Sequence, residues 1–258
     1  MKVGIQIYTF RDVIRTVSEL DIALGKLAAL GFDGIEPFGG MNYAPKYVKE
    51  LADKHGLLIP STHTDPDRIL RDTDYVIEEH KMLGAKYIGL PMMQGRYLGS
   101  LKGIKQFIED YKPAAQKIAA AGLKFVYHNH HVEFERYEGK TILHHLAEGF
   151  TAEEMGFELD TYWVQLGGGD VVQHIDKLAN RMEIIHFKDM IVEFGDNPWA
   201  GSPAKDCPVT TGNLNWPGII DAVKRADISW VIVEQDGTHG QDPFEAVKVS
   251  IDNLKAKL

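Results

Sequence analysis

Glycine punctuates this chain at intervals, each time between a helix-patterned stretch and a short apolar run. The segments LAALGFDGIE, ADKHGLLIP, HKMLGAKYIGL and AAAGLKFVY all follow that plan. A glycine just past a periodic stretch closes a helix in the left-handed conformation, and the apolar run behind it reads as a strand. Applied to the whole chain, the pattern predicts strands over 3–8, 32–37, 57–63, 85–90, 123–129, 155–160, 182–187 and 229–234. Helices are predicted over 18–30, 45–55, 67–83, 100–121, 139–149, 170–180, 216–226 and 243–257.

Strands that alternate with helices build parallel βαβ units. Eight such units close into a barrel, which removes the exposed sheet edges. The expected fold is therefore α/β, a single (β/α)8 TIM barrel over residues 1–258, a length usual for that fold. A doubly wound open sheet is the rival, but it needs a glycine-rich phosphate loop after its first strand. The chain has TFRDV there.

Bulk properties exclude several roles. With 28 basic and 37 acidic residues the formal net charge is −9, a field that repels nucleic acid and anionic lipid. No run of about 18 apolar residues exists, so no membrane span is expected. The opening MKVGIQIYTFRD has neither a long apolar stretch nor a small-residue cleavage site, and Cys207 is the lone cysteine. Both readings suit a cytoplasmic setting.

In a barrel all strand C-termini meet at one face, where active sites sit. The apolar runs here finish at Tyr8, Glu36, His63, His128, Asp160, His186 and Glu234, while the one at Leu90-Pro91-Met92 brings no chemistry. FELD, IIHFKD and VIVEQD deliver Asp160, His186 and Glu234 to that face, an O, N, O donor set for a divalent metal. In YHNHHVEFE, His128 and His130 share one side of a continuing strand, and Glu133 and Glu135 lie within reach of the pocket. Gln6, Tyr8, Glu36, His63 and Asp236 are candidate substrate contacts. Phe38, Trp163, Trp199 and Trp216 are candidate apolar walls, with core packing the alternative for Trp163 and Trp216. Gly167-Gly168-Gly169 resembles a phosphate cradle without the strand and helix that such a cradle needs. His55, His80, His144, His145 and His174 fall on helices and read as solvated or packed. Residues 91–99 and 188–215 are long loops of the kind that form lids and walls.

LDTYWV, HFKD, EQD, YHNHHVEF, GFDGIEPFG and GIQIYTFRD, in their order and spacing along the chain, resemble the xylose isomerase-like sugar isomerase/epimerase superfamily over nearly the whole chain. The resemblance implies one divalent metal (Mn²⁺, Mg²⁺ or Zn²⁺) held by residues from the last four strands. Asp160, His186 and Glu234 match three of the ligands. His128 stands where ketose epimerases carry a glutamate, and Trp163 where they carry a histidine. These departures point away from simple ketose 3-epimerisation and towards the subgroup resembling inosose dehydratases and enzymes of 3-keto sugars.

The metal set is thus His128, Asp160, His186 and Glu234. The expected chemistry is isomerisation or epimerisation of a keto-sugar by proton abstraction beside a polarised carbonyl. Glu234, His128 and His130 are the acid/base candidates. Lys188 is a candidate for stabilising the enediolate oxygen and for contacting substrate. A dehydratase or 3-keto-glycoside lyase is the alternative outcome of the same proton removal. Two other classes compete: a metal-dependent nuclease, which the net charge opposes, and a non-catalytic sugar-binding protein. The expected partner is a small sugar, with no nucleic acid and no membrane. Homo-oligomers are common among such proteins.

Overall fold

The computed structural model describes residues 1–41, 43–193 and 204–258. Eight short strands form its centre: β1 (Lys2–Gln6), β2 (Gly34–Glu36), β3 (Ser61–His63), β4 (Tyr87–Leu90), β5 (Lys124–His128), β6 (Gly156–Asp160), β7 (Ile184–Phe187) and β8 (Trp230–Val233). They run parallel in the order β2-β1-β8-β7-β6-β5-β4-β3. The ends of that order meet. Parallel bridges join Gly34 to Leu58 and Phe38 to His63, and the His63 N–H donates to the Pro37 carbonyl at 2.8 Å. The sheet is the closed barrel that the alternation predicts.

Eight helices surround it: α1 (Val17–Leu30), α2 (Pro45–Lys54), α3 (Thr73–Leu83), α4 (Leu101–Ala120), α5 (Ile142–Gly149), α6 (Val171–Leu178), α7 (Trp216–Arg225) and α8 (Pro243–Lys255). Their ends are chemically specified. Thr16 accepts the Glu19 N–H at the start of α1, and Glu19 accepts the Thr16 hydroxyl in return. Gly31 and Gly84, at φ +90° and +72°, cap α1 and α3 in the left-handed conformation.

Side chains alternate along each strand, so every barrel strand faces both inward and outward. Ile185 and Phe187 join the large apolar layer between strands and helices. Ile184 points inward, where it meets Tyr87, Val126 and Ile232 in a small separate cluster. Those four form an apolar floor. Two residues further along their strands stand Gly89, His128, His186 and Glu234. The polar site therefore rests on a hydrocarbon plug.

Several local expectations change, including the start of the helix expected over 139–149, where Lys140–Thr141 pair with Arg136–Tyr137 and the helix begins at Ile142. The first strand stops at Gln6, because its side chain accepts the Tyr8 N–H at 3.1 Å and turns Ile7–Phe10 into a 3-10 helix. Residues 67–83 form two helices, Pro66–Arg71 and α3, broken at Asp72 with φ −126°. A further short helix, Thr161–Leu166, follows β6. The segment 188–215, expected as a loop, contains an antiparallel ribbon of Asp189–Val192 with Ala204–Cys207. Trp199 lies outside the described residues. Among the described residues no helix is long and apolar enough to cross a membrane.

Candidate metal centre

The last strands deliver their terminal inward residues to one point. His128 ends β5, Asp160 ends β6, His186 lies within β7, and Glu234 follows β8. One donor atom from each of the four lies within 4.8 Å of all the others, and all four residues are buried. His128 Nε2 stands 3.4 Å from Asp160 Oδ2, and His186 Nδ1 stands 3.2 Å from Glu234 Oε2.

Two of these atoms, His128 Nε2 and Asp160 Oδ2, are buried with no hydrogen-bond partner. An orphaned buried carboxylate oxygen facing an orphaned imidazole nitrogen is costly unless something sits between them. The donor set of two imidazoles and two carboxylates fits a divalent cation. The other atoms of the same side chains are occupied. His128 Nδ1 contacts the Pro91 carbonyl at 3.0 Å, and Asp160 Oδ1 accepts the Trp163 N–H at 3.0 Å. These contacts aim Nε2 and Oδ2 at each other.

Above this point opens a cavity of about 420 Å³, within the roughly 300–1,000 Å³ of small-molecule sites. Tyr8, Phe38, His130, Trp163, Lys188 and Asp236 line its walls. Lys188 is only 2% exposed. Its ammonium contacts Asp236, stands 3.6 Å from Glu234 Oε2, and lies 4.9 Å from the Trp163 ring centroid. The Thr161 hydroxyl fixes its backbone, donating to the Lys188 carbonyl at 2.8 Å and accepting its N–H at 3.0 Å.

Burial opposes the charge of Lys188, but the carboxylates of Glu234, Asp160 and Asp236 outweigh it and raise its pKa. Burial likewise pushes the Glu234 carboxyl up, yet Lys188 and His186 hold it well below the usual range. Asp236 is pushed up to about 6 by burial and by Glu234, against the pull of Lys188. Burial and the neighbouring His128 depress His130 to about 2, so its ring is neutral at ordinary pH.

The family model described as xylose isomerase-like TIM barrel matches residues 24–257. The chain belongs to this family. Within the xylose isomerase-like fold, a sugar phosphate isomerase/epimerase from Parabacteroides distasonis superposes with a TM-score of 0.81 at 24% identity. The match covers 99% of this chain and 94% of that one. A probable 3-DHS dehydratase involved in petrobactin synthesis from Bacillus anthracis gives 0.73 at 15% identity, covering 99% of each. A D-allulose 3-epimerase from Methylomonas sp., in complex with D-allulose, gives 0.71 at 14% identity, covering 100% of this chain and 97% of that one. No curated protein matches.

The remaining residues singled out in the sequence fall at different depths of this xylose isomerase-like barrel. Tyr8 stands on the rim, 38% exposed. Gln6, Glu36 and His63 lie beneath the cavity mouth, with His63 touching both the cavity and the layer below. Glu133 turns away from the cavity. It accepts the Tyr127 hydroxyl at 2.6 Å and the His130 N–H at 2.8 Å, and so braces the histidine segment. Trp216 is core, packed on Phe187 with its indole N–H on Asp189. Of the three glycines, Gly167 and Gly169 lie against Phe134, away from the cavity.

Two acidic residues were missed. Glu158 is fully buried, 3.2 Å from His63 and 3.6 Å from His186. It lies two residues before Asp160, and period-two alternation puts both on the inner face. That was its available signal. Asp206 comes from the ribbon after β7. Burial raises its carboxyl against the opposing charge of Lys188, and nothing local in the sequence links it to that lysine.

Proposed function

We propose that this chain is a divalent-metal-dependent sugar isomerase/epimerase that moves a proton beside the carbonyl of a keto-sugar. The observation that carries the reading is the pair of orphaned atoms, His128 Nε2 and Asp160 Oδ2, within a four-residue donor set at the floor of the cavity. His128, Asp160, His186 and Glu234 would hold the ion. Such an ion supplies Lewis acidity, which acidifies the C–H next to a carbonyl.

The protein's own groups carry the rest. Glu234 is kept ionised by Lys188 and His186 and is the base for the sugar C–H. Lys188, held in place by Thr161 and Asp236, offers its N–H groups to the oxygen on which charge develops. His128 ends β5 and His130 follows it, across the cavity mouth from the β8 end, and both face the sugar opposite Glu234. His130 stays neutral and orients a hydroxyl. Trp163 and Phe38 pack on the C–H faces of the ring. Tyr8, His63 and Asp236 on the cavity wall complete the proposed substrate environment, with Gln6 and Glu36 supporting it from the buried layer beneath. Glu133 acts by bracing His130.

One arrangement favours a second reading, elimination of the dehydratase or 3-keto-glycoside lyase type. The ammonium of Lys188 sits against Asp236 beside the proposed base. Asp236, its carboxyl pushed up to about 6 by burial and by Glu234, is placed to deliver a proton to a departing hydroxyl or alkoxide, while Lys188 stays charged. The D-allulose epimerase and the probable dehydratase share this fold, in keeping with both outcomes.

A cytoplasmic, non-membrane protein without nucleic-acid partners, working as a homo-oligomer, completes the proposal. It rests on the net charge of −9 and the single buried cysteine.

The test is hydrogen exchange. Protein loaded with Mn²⁺ is incubated in D₂O with keto-hexoses and 3-keto-glycosides and followed by proton NMR. Loss of one C–H signal beside the carbonyl, abolished in Glu234→Gln, supports the reading, and the product identifies isomerase or lyase. Tight calorimetric binding of a sugar with no exchange and no product overturns it in favour of a sugar-binding protein.

A further inference from the structure

Barrel interiors are filled with branched apolar side chains. Directly beneath the cavity this one is not. Gln6 from β1, Glu36 from β2, His63 from β3 and Glu158 from β6 meet the far side of the His186 ring, and none is more than 8% exposed. We propose that this layer is a second divalent-cation site, with Glu36, His63 and Glu158 as its own ligands and His186 Nε2 as the fourth. It deepens the metal reading of the cavity above and shares only His186 with it, whose two nitrogens serve both ions only with the ring as an imidazolate, its N–H proton released to solvent.

Geometry is the first argument. One donor atom from each of Glu36, His63, Glu158 and His186 lies within 4.8 Å of the others. The separations are 2.7 Å for Glu36 Oε2 to His186 Nε2 and 3.2 Å for His63 Nε2 to Glu158 Oε2. They are 3.5 Å for His63 Nε2 to Glu36 Oε2 and 3.6 Å for His186 Nε2 to Glu158 Oε1. Ligands about 2.0–2.2 Å from a tetrahedral zinc stand roughly 3.3–3.6 Å apart. Three of the edges, 3.2, 3.5 and 3.6 Å, match that spacing, and the 2.7 Å edge is a hydrogen bond that would open when His186 Nε2 turned ligand.

Hydrogen-bond supply is the second argument. Two buried carboxylates present four oxygens. The nitrogens that reach them all go to the Oε2 atoms: Gln6 Nε2 and His186 Nε2 to Glu36, and His63 Nε2 to Glu158. Glu36 Oε1 and Glu158 Oε1 are buried and have no partner. Each is a carboxylate oxygen in a sealed interior without a donor, and a cation bound in the cluster would neutralise both carboxylates.

The third argument is how the ring divides. His186 turns Nδ1 to Glu234 and Nε2 to Glu36, one nitrogen to each layer. The His63 ring stacks on it with centroids 5.0 Å apart and planes 10° from parallel. His63 and His186 thus hold their Nε2 atoms towards the same two carboxylates. Here the donors are arranged around a common centre.

The experiment is metal stoichiometry on the full chain, stripped with chelator, reloaded with Zn²⁺, desalted and measured by elemental analysis. Wild type is compared with Glu158→Gln, which touches only the lower layer, and Asp160→Asn, which touches only the upper. Two equivalents in wild type and one in each variant support the proposal. One equivalent in wild type, kept in Glu158→Gln and lost in Asp160→Asn, overturns it while leaving the cavity metal intact. One equivalent lost in Glu158→Gln but kept in Asp160→Asn supports the deep site and removes the metal from the proposed function. No zinc in any form overturns both. If Glu158→Gln does not fold, zinc-edge anomalous diffraction on wild type decides. A peak within about 2.2 Å of Glu158 and His63 supports the site, and an empty layer overturns it.

Discussion

The side-chain oxygen of Asn129 accepts the backbone N–H of Asp160 at 3.0 Å. A backbone N–H can only donate, so the orientation of the Asn129 amide is fixed. This bond ties the end of β5 to the end of β6, between two proposed metal ligands. Asn129 is fully buried and occupies the position between His128 and His130. It supports the centre without touching it. Asn129→Ala is therefore expected to weaken divalent-metal affinity by about 10–100-fold, the usual effect of removing a supporting hydrogen bond from a ligand. Titration calorimetry with Mn²⁺ on both proteins checks this. Unchanged affinity would detach Asn129 from the site.

Lys188 faces two carboxylates and two aromatic rings with almost no exposure. Replacing it by methionine keeps much of the stem packing and deletes the charge. On the proposed substrate, Lys188→Met is expected to lower kcat by about 10²–10³-fold with a smaller change in KM, since the lost donor acts on charge that develops during reaction. Steady-state kinetics separates the two. A KM effect alone would make Lys188 a binding residue.

The legible part of this fold was its rhythm. Each helix–glycine–strand unit carries its own signal, and barrel closure follows from having eight of them. Asp160, His186 and Glu234 were legible because each follows an apolar run. Glu158 carried only its period-two relation to Asp160, although it is as deeply buried as its neighbours Phe157 and Leu159. Its chemistry depends on His63 and His186, 95 and 28 positions away in sequence, and no local pattern encodes that meeting. Glu133 shows the converse. Its position suggested the pocket, but the Tyr127 hydroxyl and the His130 N–H turn it into a brace. The break at Asp72 and the ribbon of 189–192 with 204–207 were hidden for another reason. Such short features carry too few residues for periodicity to register.

Gly89 offers a steric test of the deep layer. A Cβ there would stand 2.8 Å from the Thr62 carbonyl, 3.2 Å from Glu158 Oε2 and 3.3 Å from His63 Cδ2. Backbone cannot retreat inside a barrel, and the two side chains are held by each other. Gly89→Ala is expected to destabilise the fold by about 1–3 kcal/mol through overpacking. The melting temperature should fall by about 2–12 °C, at roughly 2–4 °C per kcal/mol for a domain of this size. A melting temperature equal to wild type would mean that the layer is looser than its contacts imply.

Cys207 supplies a pH test independent of any ligand. It ends the second strand of the ribbon after β7 and is 7% exposed. Burial, reinforced by the Asp189 carboxylate, pushes its thiol up to about 12. The thiolate is the reactive form, and a free cysteine titrates near 8.5. At pH 8 the native thiolate fraction is then roughly a thousandfold below that of the unfolded chain. Native protein should resist iodoacetamide at that pH and label readily in denaturant, as read by intact mass. The sign of the pH dependence discriminates further. Native labelling should keep climbing about tenfold per pH unit from 8 to 10, because the thiol stays protonated across that window, while the unfolded chain levels off above about 9. A native rate that levels off with the unfolded one would place Cys207 in water and open the ribbon that carries it.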